Sequence, residues 1–132
     1  MNLGEMTHED KGKLAGIIIC MLDAWEVETA QQISLLSLPE KTPLRAIRKY
    51  RQSETPFPES DELVEKITHL VGIAEALRTT YPRNDHIRAQ WMNLPHKRFS
   101  GRTPLQTMLE DGVKGFVIVR AQLDCAFAWD NY

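Results

Sequence analysis

Between Lys41 and Gln52 the chain carries five basic residues and no acid. Within that run Arg45, Arg48, Lys49 and Gln52 recur at i, i+3, i+4 and i+7, the spacing of one helical face, while Leu44, Ile47 and Tyr50 share the opposite face. A helix divided in this way docks its apolar side on a core and offers guanidinium and ammonium groups to phosphates and guanine edges. The flanks are acidic. Residues 1–40 hold seven acids and two lysines, a net charge of −5, and residues 53–68 hold five acids and one lysine, a net charge of −4. The whole chain sums to only −2, so the basic island is a local signal that the total hides. A solvated charged face is the ordinary use of such a helix. Three features favour DNA instead: no acid within the island, a short helix before it, and a break of suitable length between the two. Thr42 at the helix start and Arg51 nearer the apolar side complete the candidate DNA-contacting set. Arg51 is placed to reach a backbone phosphate or an acid such as Glu54.

Enzyme chemistry is not written into the chain. His8, His69, His86 and His96 are scattered, and H-E-x-x-H, P-loop, G-x-G-x-x-G and G-x-S-x-G patterns are absent. No catalytic residue, metal site or cofactor is expected. Cys20 and Cys125 lie far apart in apolar helical surroundings, read as structural thiols, and fit a reducing cytosol. The run "GIIICMLDAW" is too short to span a bilayer and is preceded by Glu5, Glu9 and Asp10, where a signal peptide would carry positive charge, so it reads as a core helix, with no membrane role. At 132 residues, 42% of them apolar, the chain can bury a core without staples.

The elements that must position these residues read as helices throughout. Thr7 opens a T-x-x-D capping pattern, and Leu14, Ile17, Ile18, Met21, Leu22 and Trp25 continue a helix over residues 8–25. "VETAQQISLL" is a second, shorter helix with Ala30, Ile33 and Leu36 inward, broken at Pro39. Thr42 then caps a third, with Pro43 at its first position, and the pair outlines a helix-turn-helix. "SETPFPES" is the linker candidate, dividing a front part, residues 1–58, from a back part, residues 59–132. Behind it Leu63, Ile67, Leu70, Ala74, Leu77 and Tyr81 mark a long helix stopped by Pro82, and a short helix runs from Ile87 to Leu94.

In "FSGRTPLQTMLEDG" Thr103 is the cap, Pro104 the first helical residue and Gln106 the partner of a capping box, with Gly112 as the left-handed residue that ends one or two turns. The last helix buries Val113, Phe116, Val117, Leu123 and Phe127, with Val119, Ala126 and Trp129 widening the apolar arc. An arc that wide leaves a strip for a protein partner if one small core cannot cover it. No alternating pattern longer than a few residues appears, and the fold class is all-α.

The stretch "WMNLPHKRFSGRTPLQTMLEDG" followed by "VIVRAQLDCAF" resembles the toxin-binding domain shared by the Xre, MbcA and ParS antitoxins. Upstream, "MLDAWEV" and "ITHLVGIAEALR" are similar to the same family's Xre-like helix-turn-helix. The resemblance implies an antitoxin of a RES-domain toxin, an enzyme that consumes NAD or transfers its ADP-ribose. It also implies that the C-terminal region covers the toxin's NAD cleft and that the complex represses its own operon by binding operator DNA, as a homodimer or a larger hetero-oligomer with the toxin. Trp91, Gly101, Arg102, Thr103, Pro104 and Leu105 match the motif; Arg102 alone among them has no evident structural task. The toxin-contacting set implied is Trp91, Arg102, Arg120, Asp124, Trp129, Asp130, Asn131 and Tyr132. The ending "WDNY" departs from many family members in lacking a glycine, and the basic helix is more proline-flanked than in a generic Xre repressor. A stand-alone helix-turn-helix regulator without a toxin is the alternative.

Overall fold

The computed structural model describes residues 5–130, and the side chains of residues 5–124. Seven α-helices appear, α1 His8–Ala24, α2 Thr29–Leu35, α3 Leu44–Arg51, α4 Asp61–Thr80, α5 Asp85–Asn93, α6 Pro104–Asp111 and α7 Val113–Asp130, with a 3₁₀ turn at Lys97–Phe99. No strand occurs among the described residues, so the fold is all-α as expected, and "GFVIV" is helical. The chain forms two compact units, Met1–Ile67 and Thr68–Tyr132, and the boundary between them falls inside α4.

In the first unit α3 packs on α1. Ala15, Ile18, Ile19 and Leu22 of α1 are buried, together with Leu35 and Leu36 at the end of α2 and Ile47 and Tyr50 of α3. Each such large side chain stabilises the unit by roughly 1.5–3 kcal/mol on leaving water. The Thr7 cap forms, its hydroxyl accepting from the Asp10 amide at 3.1 Å. Three inward assignments do not hold. Ile17 is 63% exposed and Leu44 69% exposed, and Ala30 is exposed while its neighbour Gln32 is buried. α1 carries apolar residues around most of its circumference, so periodicity alone does not choose its buried side; α2 is too short for its period to do so, and Leu44 stands at the exposed first position of α3. The segment "SETPFPES" folds back: the Phe57 ring packs against Tyr50 at a tilt of 56°, with centroids 4.9 Å apart. With Leu14, Leu63 and Ile67 it lines a cavity of about 310 Å³ inside the first unit.

The two T-P-L stretches start their helices differently. At Thr103 the capping box closes in both directions, the hydroxyl accepting from the Gln106 amide and the Thr103 amide donating to Gln106 Oε1, each at 2.9 Å. At Thr42 the hydroxyl instead donates to the Pro39 carbonyl at 2.6 Å, Pro43 is the cap residue, and α3 begins at Leu44. The residue three after Thr42 is Arg45, which has no acceptor to return a bond to the Thr42 amide. Thr103→Ala should therefore lower stability by about 1 kcal/mol, read as a shift of the urea midpoint, the usual cost of losing a side-chain cap.

In the second unit α6 packs on α7 and on α5. Gly112 is the sole residue between α6 and α7, with φ 64° and ψ −143°. Its ψ takes it out of the left-handed helical region assigned to it from sequence, into one that only glycine adopts readily. Its amide still caps α6 at Met108, and its carbonyl accepts from Phe116 at the start of α7. Gly115 fixes the face that α7 buries, because a side chain there would drive into the Thr107 carbonyl. Phe116, Val119 and Leu123 accordingly point inward. Val117 was expected inside; it is 45% exposed, beside Ile118 at 36%.

Candidate functional site

The basic face of α3 is assembled by short-range rules. Ile47 and Tyr50 anchor the helix, and Arg45, Arg48, Lys49 and Gln52 are all exposed. None of the three cations makes an ion pair among the described residues. Arg48, Lys49 and Arg51 lie in the last turn, where positive charge favours the carbonyl end of the helix dipole. Thr42 is half-buried and committed to Pro39. Arg51 differs from its neighbours. Its Nε donates to Asp23 Oδ2 at 2.8 Å and its Nη2 to Asp23 Oδ1 at 3.3 Å, so its acid partner is Asp23 and not Glu54. Burial raises the Asp23 pKa, but hydrogen bonds from Arg51 and Gln32 and the Arg51 charge outweigh it, and the carboxyl lies below its ordinary value.

In the second unit Trp91 belongs to an aromatic knot. Its ring tilts against His96 at 5.1 Å and meets Phe99 edge-on at 6.4 Å, while its carbonyl pairs with His96 Nε2 at 3.1 Å. The His96 amide donates to the Arg102 carbonyl, which closes the loop before α6. Arg102 has a structural task after all. Its guanidinium reaches back to the Phe99 carbonyl, forward to Glu110 Oε2 at 2.9 Å, and bidentately to Asp111 at 3.1 and 3.0 Å. One side chain thus ties the loop to the far end of α6. The bonds to Asp111 and Glu110 push the Arg102 pKa further up. Those from Arg102 hold Asp111 below its ordinary value, against a smaller opposing effect of desolvation.

Because the folded Asp111 pKa is depressed, its contribution to stability is present above the unfolded value near 3.8 and is lost as pH falls through the folded pKa. Acid unfolding followed by circular dichroism should therefore separate wild type from Asp111→Asn at pH 5–7, and the two curves should converge only as pH falls through the depressed Asp111 pKa, below 3.8.

The remaining toxin-side candidates divide. Arg120 turns toward α4, its guanidinium over Gly72 and 3.4 Å from His69 Nδ1. Asp124 is exposed. The side chains of Trp129 and Asp130, and the whole of Asn131 and Tyr132, lie outside the described residues. Val117 and Ile118, not among the candidates, share with Ala121 and Asp124 the exposed face of α7. Gly115 was the available signal for Val117, since a glycine inside an apolar helix marks a close approach and the residue two further on lies on the opposite side. Asp23 and Gln32 were likewise missed; nothing local marks them.

Among the described residues no cluster of histidine, cysteine and carboxylate side chains could hold a metal ion. No helix of the described residues is long and apolar enough to cross a membrane. Cys20 is a free thiol and is exposed, where the sequence suggested apolar surroundings.

Residues 76–125 match the antitoxin Xre/MbcA/ParS C-terminal toxin-binding domain. That span holds the aromatic knot, the Arg102 tie, α6 and most of α7. The chain is also 28% identical over 102 residues, 77% of its length and 74% of the relative's, to the uncharacterized protein y4oB of Sinorhizobium fredii (strain NBRC 101917 / NGR234). No solved structure matches it.

Proposed function

We propose that this chain, whose residues 76–125 match the Xre/MbcA/ParS toxin-binding domain, is the antitoxin of a RES-domain toxin and silences it by covering the toxin's NAD cleft. The observation that carries this reading is the exposed apolar pair Val117 and Ile118 on α7, inside the family-matched span and bordered by Asp124. Apolar side chains on a charged surface, rimmed by polar ones, are what a protein partner buries. The tail, Trp129 to Tyr132, is part of the same proposal as a toxin-contacting segment, and the Arg102 tie and the capped α6 support it by fixing the start of α7. The unpaired cations of α3 support a second activity, repression of the antitoxin's own operon.

The test is co-expression with the product of the neighbouring reading frame, which this reading expects to be a RES-domain toxin. Growth arrest by the toxin should be relieved, and the two chains should purify together. Arrest that persists at full antitoxin expression, with no complex recovered, rejects the antitoxin reading. Operator binding in the same preparation would then leave a stand-alone regulator.

A further inference from the structure

We infer that Arg51 is a positioning residue of the DNA-binding helix, locked by Asp23 and Gln32, and not one of its phosphate contacts. The inference rests on the operator-binding reading of α3. Asp23 lies in the last turn of α1, Gln32 in α2 and Arg51 in the last turn of α3. The Asp23 carboxylate receives Arg51 on one side, and its Oδ1 accepts from Gln32 Nε2 at 2.7 Å. Gln32 is fully buried, and the same Nε2 also donates to the Val27 carbonyl at 3.0 Å. That amide cannot turn over without losing both bonds, although its Oε1 is buried with no partner in its present pose. The carboxylate is therefore held in place from the interior, and through it α3 is fixed in roll.

Roll matters because Arg45, Arg48 and Lys49 read out one face of the helix. Their side chains stand about 5–6 Å from the axis, so a rotation of about 20° displaces them by about 2 Å, enough to break a bidentate contact. Arg51 gives two of its donor groups to Asp23, whereas Arg45, Arg48 and Lys49 keep theirs. The two roles differ in their salt dependence. A phosphate contact releases counterions, and removing it lowers the slope of log K against log salt by about 0.9; a positioning residue lowers affinity and leaves the slope alone.

The experiment titrates the full chain onto a labelled duplex from upstream of its own gene, at several salt concentrations, for wild type, Arg45→Ala, Arg51→Ala, Arg51→Lys, Asp23→Asn and the double variant Asp23→Asn with Arg51→Ala. Arg45→Ala supplies the reference change in slope. Arg51→Ala and Asp23→Asn should each weaken binding about tenfold with the wild-type slope, and the double variant should be no worse than the weaker single one. Arg51→Lys keeps the charge and disturbs folding least. It should still lose affinity, because one ammonium cannot replace the two-point fork on Asp23. A slope lowered by about 1 in Arg51→Ala, with Arg51→Lys binding as wild type and Asp23→Asn binding more tightly, would make Arg51 a contact and overturn the inference. A wild-type chain that does not bind the duplex rejects the operator reading itself, and this role with it.

Discussion

Replacing Val117 with glutamate and Ile118 with lysine is expected to weaken toxin binding on the order of 1,000-fold while leaving the antitoxin folded. Neither side chain belongs to the fully buried core of the free chain, so the double variant spares Phe116, Val119 and Leu123. Glutamate and lysine are good helix formers, and the pair leaves net charge unchanged, so α7 should persist. In a complex the same positions would sit at the centre of a dry contact. A central apolar anchor at such a site is typically worth ~2 kcal/mol or more, about 30-fold in affinity for each. Isothermal titration against purified toxin gives the affinity, and thermal unfolding of the free variant reports the fold. Unchanged affinity would place the contact elsewhere, on the loop around Arg102 or beyond Asp124.

Phe116→Ala one position earlier should have the opposite signature. Phe116 is fully buried at the start of α7, next to the glycine that meets Thr107. Emptying that volume should cost about 3–5 kcal/mol, the range for deleting a buried aromatic ring. A small domain has about 5–15 kcal/mol in total, so toxin neutralisation should fall because the folded antitoxin is depleted. The variant should regain binding on cooling toward its temperature of greatest stability, which the Val117 and Ile118 variant should not. Adjacent residues on one helix thus separate a packing defect from a contact defect.

What was legible in the sequence is what is encoded within a few residues. The Thr103–Gln106 capping box, the Thr7 cap and the helical period of α4 all act over one or two turns, and all appear as expected. Helix ends were harder to see. Glu26, Ser37 and Ser53 take positive φ without being glycine, so three turns carry no glycine to announce them. Least legible were the ties that cross long stretches of chain. Asp23 and Arg51 stand 28 residues apart, and nothing in the composition of either neighbourhood marks the pair. Arg102 looked functional because its partners, Glu110 and Asp111, lie a whole helix away. The face of α7 was ambiguous for a different reason: with valine or isoleucine at 117, 118 and 119, hydrophobicity cannot choose a side, and the backbone contact at Gly115 does.

The central claim is that this chain silences a RES-domain toxin by covering its NAD cleft, and it is tested most directly by following NAD loss. Purified toxin is incubated with NAD and increasing amounts of the antitoxin, and residual NAD is measured at each ratio. The account predicts that consumption falls in proportion to added antitoxin and stops near the stoichiometry of the complex, with an excess of NAD shifting the curve toward higher antitoxin. Consumption that continues unchanged in the presence of a saturating, stably bound antitoxin would contradict it.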